Sequence, residues 1–262
     1  MTLLLHELRV NKLSLIIWSA ALSFMLAVCI IIYPEMSSQM SEMNDMFSDM
    51  GAFSDAFGMN EINFGEFGGY FVVECGNVLG LGGAIFAAIM GASALYKEEN
   101  NKTAEFLLTQ PISRRCIVTE KLISVVSFIM IMNISVMAVT FLSVLAIGEK
   151  ISFGTFMLVF LAYIIMQLEI VFITFGISAF VKSGALAIGI GVAFISYFVN
   201  ILSNLTESAK ILKFITPFGY TDGSVILKNN SLEWKYLIPA VLISALCIYL
   251  AYRKYEKKDI LT

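Results

Sequence analysis

The sequence contains few charged residues, and this scarcity excludes an ordinary water-soluble domain. Asp, Glu, Lys and Arg make up 14% of its 262 residues, whereas soluble domains carry about 25%. Apolar residues make up 58%, and the mean hydropathy is +0.84. A chain with so little charge cannot cover a normal aqueous surface, so we expect it to reside in a membrane.

Residues that bind transition metals are also scarce. The chain has one histidine, His6, and four cysteines without a C-x-x-C pair, so neither a histidine metal site nor a disulfide is expected. Methionine thioethers between residues 36 and 50 leave a copper site as an alternative. These methionines recur mostly at three- or four-residue steps with acids between them, however. That spacing favours an amphipathic helix, and no metal site is predicted.

Several catalytic and ligand-binding patterns are absent. No G-x-x-x-x-G-K-(S/T) sequence occurs, so we expect no ATP hydrolysis by this chain, and neither H-E-x-x-H nor G-x-S-x-G is found. The net charge is −3 and no basic patch is visible, so no nucleic-acid partner is expected. The apolar segments show no obvious internal repeat, which disfavours a secondary transporter built from inverted halves.

Long apolar runs dominate the rest of the chain. A helix needs roughly 20 apolar residues to cross the hydrocarbon core, and unbroken runs favour helices over a β-barrel, whose strands alternate. The first run lacks an A-x-A-like cleavage site and is interpreted as a retained helix. The sequence therefore predicts an all-α integral membrane protein with one transmembrane domain over residues 1–262. Its six predicted helices cover about 13–33, 68–95, 121–147, 153–180, 184–203 and 236–252.

The distribution of Lys and Arg predicts the orientation. With the N-terminus in the cytoplasm, 12 of the 17 basic residues fall on the cytoplasmic side and five outside. Residues 34–67 contain no Lys or Arg. We therefore expect both termini in the cytoplasm, a cytoplasmic loop at 96–120, and extracellular amphipathic segments within 34–67 and 204–235. Residues 1–12 predict an amphipathic helix at the membrane surface, with a simple basic flank as the alternative.

One charged stretch, YKEENNKTAEFLLTQPISRRCIVTEKL at residues 96–122, interrupts the apolar runs. It resembles the cytoplasmic loop of ABC-2-type transporter permeases, which lies between the second and third membrane helices and docks on the ATPase subunit. Lys102-Thr103 replaces the family's usual Gly-Thr. Ser113 is predicted to cap a helix that begins at Arg114. The resemblance implies coupling to the ATPase through Glu98, Glu99, Thr103, Glu105, Phe106, Leu107, Pro111, Arg114 and Arg115.

The two arginines of this stretch also have a simpler interpretation. Arg114 and Arg115 can enforce the orientation and bind anionic lipid without any protein partner. The acids separate the two interpretations, because lipid anchoring has no use for Glu98, Glu99 and Glu105.

A second element strengthens the resemblance. Residues 216–223, TPFGYTDG, are similar to the family's (S/T)P-F-x-Y-x-D element between the last two helices. Residues 7–18 resemble the start of many such permeases. From the residues alone, Phe218 and Tyr220 suit the headgroup level of the membrane, as in an ordinary aromatic-anchored loop, and residues 208–215 are expected to lie along the surface.

Candidate residues for a translocation path come from the membrane helices. The second run carries small residues at helical spacing, which indicates either close packing or a narrow path. Glu169 lies deep in the fourth run, where a charge costs about 2.5–3.5 kcal/mol; a structural, hydrogen-bonded role is favoured over contact with a substrate or cation. In the family that the chain resembles, the second and fifth helices border the path. The candidate path residues are Asn77, Gly80, Ala84, Glu169 and Gly191.

The predicted function is the membrane-spanning permease subunit of an ATP-binding-cassette transporter. The resemblance implies a second permease copy or paralogue, separate ATPase subunits that hold ATP and Mg²⁺, a bacterial plasma membrane, and export more often than import. No cofactor is expected in this chain. Two alternatives remain at this stage: a stand-alone ion- or proton-coupled transporter that uses Glu169, and an immunity or sensory subunit that transports nothing.

Overall fold

The structure, a computed structural model, describes residues 2–49, 62–97, 112–181 and 183–257, and all regular structure within these ranges is helical. Six of its helices are long and apolar enough to cross a membrane, as the sequence predicts. The helices are α1 (Thr2–Val10), α2 (Lys12–Asp49), α3 (Phe67–Ser93), α4 (Arg114–Ile147), α5 (Phe153–Ser178), α6 (Ala185–Leu205), α7 (Gly223–Asn229) and α8 (Trp234–Lys257).

The first long helix extends further than the sequence predicts. Its apolar run was expected to end near residue 33, yet α2 continues through Pro34 to Asp49. Proline removes one backbone donor from the helical ladder, but the Met, Glu, Gln and Ser residues that follow can sustain a helix. Ser37 also donates from Oγ to the Pro34 carbonyl oxygen at 3.1 Å.

The spanning helices alternate in direction, so the bundle has two distinct ends. At the terminal end, α1 packs against the start of α4, and Tyr255 of α8 packs in one apolar cluster with Ile117 of α4. At the loop end, Tyr33 of α2 packs on Phe67 of α3, with ring centroids 5.1 Å apart. The described start and finish of the chain, α1 and the end of α8, therefore share the terminal end.

Helices α3 and α5 form the centre of the bundle. In each, 56% of the most apolar segment is buried within the protein, against 17% in α6. Glycines permit this close approach, because a Cβ added at Gly91 of α3 would overlap Thr174 of α5. A Cβ at Gly189 of α6 would lie 2.6 Å from the Cβ of Ala92 in α3. Gly91 and Ala92 of α3 therefore allow α5 and α6 to pack closely against it.

At the centre of the bundle, Gln167 of α5 forms hydrogen bonds with α3 and α4. Its Nε2 donates to the carbonyl oxygen of Leu79 at 3.1 Å, and its Oε1 accepts from Nδ2 of Asn133 at 2.6 Å. Leu79 lies in a π-helical segment, Gly76–Gly82, that interrupts α3. Its three glycines have low α-helix propensity, and the Gln167 amide gives the Leu79 carbonyl a partner from a neighbouring helix.

The segment between α6 and α8 folds back into the bundle. A 3₁₀ helix, Glu207–Phe214, exposes Ile211, as expected for a surface segment. Phe218 and Tyr220 then turn inward and are 4% and 2% exposed. The expectation that these two rings anchor at the headgroup level is therefore wrong. The backbone near Thr216 is satisfied within the protein, because the N–H of Thr216 donates to the Leu212 carbonyl oxygen at 3.2 Å and the N–H of Phe218 donates to Thr216 Oγ1 at 3.4 Å.

Candidate functional site

Most of the predicted coupling residues lie outside the described part of the chain. This holds for Glu98, Glu99, Thr103, Glu105, Phe106, Leu107 and Pro111. The two ends of the loop are described. Lys97 follows α3, and Arg114 and Arg115 open α4. The predicted cap is confirmed, because Ser113 Oγ accepts from the backbone N–H of Cys116 at 3.2 Å.

Both arginines at the start of α4 contact the end of α8. Arg114 donates from Nη1 to the carbonyl oxygens of Tyr255 and Glu256, at 3.4 and 3.1 Å. Arg115 forms an ion pair with the carboxylate of Glu256. A cation near the last carbonyls of a helix is favourable, because these groups lack helical partners and carry partial negative charge. The sequence pattern predicts contacts of these arginines with the ATPase or with lipid, and it does not reveal their contact with the C-terminal helix.

The other end of the loop contacts Asn11, the residue that follows the N-terminal helix α1. Nζ of Lys97 donates to Oδ1 of Asn11 at 3.1 Å, and Asn11 donates from Nδ2 to Oε2 of Glu7 at 3.1 Å. Glu7 also forms a 3.0 Å ion pair with Lys121 of α4. Lys121 is 1% exposed and Glu7 is 8% exposed, so this pair is almost completely removed from water.

We call this set of contacts the terminal-end junction: Glu7, Asn11, Lys97, Arg114, Arg115, Lys121 and Glu256. It holds the described flanks of the predicted coupling loop against α1 on one side and α8 on the other. A signal for part of it was present in the sequence. Glu7 is an acid within a basic, amphipathic lead, and Lys121 is a lone cation that opens an apolar run.

The structure places four of the five predicted path residues at three separate positions. Gly80 and Ala84 are buried on α3, and a Cβ at Gly80 would meet the rings of Tyr163 and Phe218 at 3.5 and 3.7 Å. Gly191 faces open space on α6, with no atom within 4 Å of an added Cβ. Glu169 is 3% exposed and hydrogen-bonded to a tyrosine.

The partner of Glu169 is Tyr220, whose hydroxyl donates to Oε2 at 2.8 Å. This bond joins the middle of α5 to the segment that folds back between α6 and α8. Gln167 faces α3 through Leu79, so the two polar residues lie on different faces of α5, as helical periodicity predicts. Glu169 and Tyr220 are each notable in the sequence, but no sequence pattern pairs them.

Asn77, the fifth predicted path residue, lies on the wall of a polar cavity. The cavity has a volume of about 100 Å³ and lies between α3, α5, α6 and the inward segment. Lys213 and Asp222 form a 3.1 Å ion pair on its wall. Burial alone raises the pKa of Asp222, but the Lys213 ammonium and hydrogen bonds from Ser224 outweigh it and leave that pKa below its ordinary value. The Asp222 carboxyl is therefore ionised at neutral pH.

Together these features define a class of protein. The chain is a multi-pass helical membrane protein in which the described flanks of a charged loop are held at one end of a six-helix bundle, with a polar cavity and a buried acid inside it. The chain belongs to the ABC-2 transporters: a family model described as ABC-2 family transporter protein matches residues 1–260. Proteins of this family are membrane permease subunits of ABC transporters and not the ATPase. A comparison with curated proteins finds no match.

Proposed function

We propose that this permease works as a pair, with a second copy or paralogue, and that separate ATPase subunits drive it by hydrolysing ATP with Mg²⁺. The translocation path lies where the two permeases meet, and transport is export across a bacterial plasma membrane. Both termini and residues 98–111 face the cytoplasm, where the ATPase subunits bind. The family membership supports the ATPase partnership. The pairing, the direction and the orientation are proposals from the sequence.

The observation that carries this proposal is the terminal-end junction. A loop that transmits force from a partner subunit needs rigid attachment to the membrane helices. Lys97, at one end of the loop, is bonded to Asn11 beside the buried Glu7–Lys121 pair. Arg114, at the other end, is bonded to the last carbonyls of α8. A displacement of the loop by the ATPase would therefore be transmitted to α1, α3, α4 and α8 together.

The test reverses the charge of two acids in the loop. Glu99→Lys and Glu105→Lys are introduced together, and the permease is reconstituted with its ATPase in liposomes. We expect the variant to insert normally but to lose either ATPase binding or the coupling of hydrolysis to transport. Binding is measured by co-purification, and coupling by comparing the ATPase rate with the transport rate of the same liposomes.

A matched control places the same charge change at the opposite end of the bundle. Glu35 and Glu149 are both exposed at the loop end, so Glu35→Lys with Glu149→Lys changes the net charge equally without touching the loop. The control should bind the ATPase and couple normally. Normal binding and transport by the Glu99 and Glu105 variant would contradict the coupling role of these acids.

A further inference from the structure

The polar cavity beside Asn77 is lined by carboxamide side chains from two helices. Asn77 lies on α3 and Asn200 on α6, and both line the cavity. Within the described residues, neither side chain has a hydrogen-bond partner in the protein. Polar side chains inside spanning helices are costly and face a partner or water. Asn77 and Asn200 therefore present hydrogen-bonding groups to the cavity and not to the protein.

The cavity offers no net charge to a ligand. Its charged groups, Lys213 and Asp222, are paired with each other at 3.1 Å. Asp222 is further engaged through Oδ1, which accepts from the backbone N–H and the hydroxyl of Ser224 at 3.1 and 2.8 Å. An ionic ligand would have to break this pair. The lining therefore suits an uncharged group.

The chemistry of the carboxamides and of the apolar side chains beside them indicates which uncharged group the cavity binds. Each carboxamide has both donors and an acceptor, so it can bond both the N–H and the C=O of an amide. Val72, Val73 and Phe218 give the cavity apolar sides, which suit the aliphatic groups beside a peptide bond better than a polyhydroxylated ring. Ligand sites commonly combine apolar walls with a few polar groups, and π-helical segments such as Gly76–Gly82, which carries Asn77, are frequent at functional sites.

We propose that this cavity is a binding subsite for an uncharged peptide amide of the transported solute. The inference rests on the proposed transport function for its physiological meaning, but ligand binding needs no ATPase. It assigns Asn77 and Asn200 as the recognition residues, with the Lys213–Asp222 pair holding the inward segment as the opposite wall.

The test measures binding by the full-length permease alone, in lipid nanodiscs. Ile62 lines the cavity, and Ile62→Cys is labelled with N-ethylmaleimide in a background in which the exposed Cys116 is replaced by Ser. The probes are N-acetyl-alanyl-leucine amide, the same dipeptide with free charged termini, and glucose. We expect the uncharged dipeptide to slow labelling severalfold, and the other two to have little effect.

Substitutions of the lining asparagines test which side chains bind the dipeptide. Asn77→Leu and Asn200→Leu should each abolish protection by the uncharged dipeptide, whereas Asn229→Leu, an exposed asparagine at the loop end outside the cavity, should keep it. Asn77→Asp keeps the side-chain shape if the leucine variant fails to fold, and its charge should also abolish protection. Absence of protection by the dipeptide in the parent protein, or equal protection by glucose, overturns the proposal. If the dipeptide protects Ile62→Cys but no ATPase subunit co-purifies with the permease, the subsite stands and the proposed function fails.

Discussion

The hydroxyl of Tyr220 and the side chain of Glu169 form a buried 2.8 Å hydrogen bond that joins two parts of the chain 51 residues apart. Tyr220 is on the inward segment before α7, and Glu169 is in the second half of α5. Both residues are at most 3% exposed. The bond gives the membrane acid a partner within the protein, which favours a structural role for Glu169.

Substitutions at this pair should separate a structural role from a transport role. Glu169→Gln keeps a carbonyl that can accept from Tyr220, so we expect stability within about 1 kcal/mol of wild type and continued transport. Tyr220→Phe leaves a buried carboxyl without its donor and should destabilise the protein by about 1–3 kcal/mol. Glu169→Leu should impair folding through the unpaired hydroxyl. Thermal unfolding in nanodiscs and transport in liposomes are the measurements. Loss of transport in Glu169→Gln at normal expression would contradict the structural role.

The buried Glu7–Lys121 pair provides a second prediction. Removing one partner of a buried ion pair leaves an uncompensated charge and costs about 3–5 kcal/mol. Lys121→Met should therefore lower the unfolding temperature strongly, and Glu7→Gln combined with Lys121→Met should recover part of the loss. The double variant is the control, because it removes the charges together. Equal destabilisation by the single and double variants would show that the pair contributes through packing alone.

The spanning helices could be predicted from the sequence because the bilayer imposes a simple requirement on length and polarity. Six apolar runs gave six helices. The ends were less accurate where polar residues continue a helix. The α2 helix passes through Pro34 to Asp49, and α4 is one continuous helix from Arg114, where its cap was predicted, through the apolar run that begins near residue 121. Hydropathy detects where a helix leaves the hydrocarbon, and it does not detect where the helix itself stops.

The site could be predicted only where its residues are close in sequence. The Ser113 cap depends on the next three residues, and it was correct. The contacts of Arg114 with Tyr255 and of Glu7 with Lys121 join residues more than 110 positions apart. No local pattern encodes such pairings, because they arise from how the helices assemble. For the same reason, Tyr220 was assigned to the membrane surface although its hydroxyl has a buried partner.

Two glycines of α6 should respond oppositely to the same substitution. Gly189→Ala would place a Cβ 2.6 Å from the Cβ of Ala92 and 2.9 Å from the carbonyl oxygen of Ala88. We expect overpacking to cost about 1–3 kcal/mol. Gly191→Ala meets no atom within 4 Å and should be neutral or slightly stabilising. Unfolding temperatures compare the two, and equal effects would contradict the tight α3–α6 contact.

Gly191 also tests the proposed path. A larger residue there, Gly191→Phe, should leave the isolated permease stable because the position faces open space. If two permeases meet at this surface of α6, the ring should block transport or weaken their pairing. Unchanged transport and pairing would remove Gly191 from the path.

The orientation of the bundle can be tested with two exposed lysines. Lys150 lies at the loop end, and Lys254 lies at the terminal end. In a background with Cys116 replaced by Ser, Lys150→Cys should react with a membrane-impermeant maleimide on intact cells. Lys254→Cys should react only after the membrane is opened, because the basic bias places the terminal end in the cytoplasm. The reverse pattern would invert the proposed topology.

The contact of Arg114 with α8 predicts a local effect that lipid binding does not. Arg114→Leu removes the donor to the carbonyl oxygens of Tyr255 and Glu256, so the last turn of α8 should fray. Hydrogen–deuterium exchange in residues 252–257 should rise severalfold, and ATP-driven transport should fall if this turn supports the coupling loop. Arg253→Leu is the matched control, because it removes an exposed cation from the same end of the bundle and leaves both carbonyl contacts in place.

If Arg114 acted only through the positive-inside rule or anionic lipid, the Arg114→Leu and Arg253→Leu variants would behave alike. Faster exchange confined to Arg114→Leu would assign its effect to the helix end.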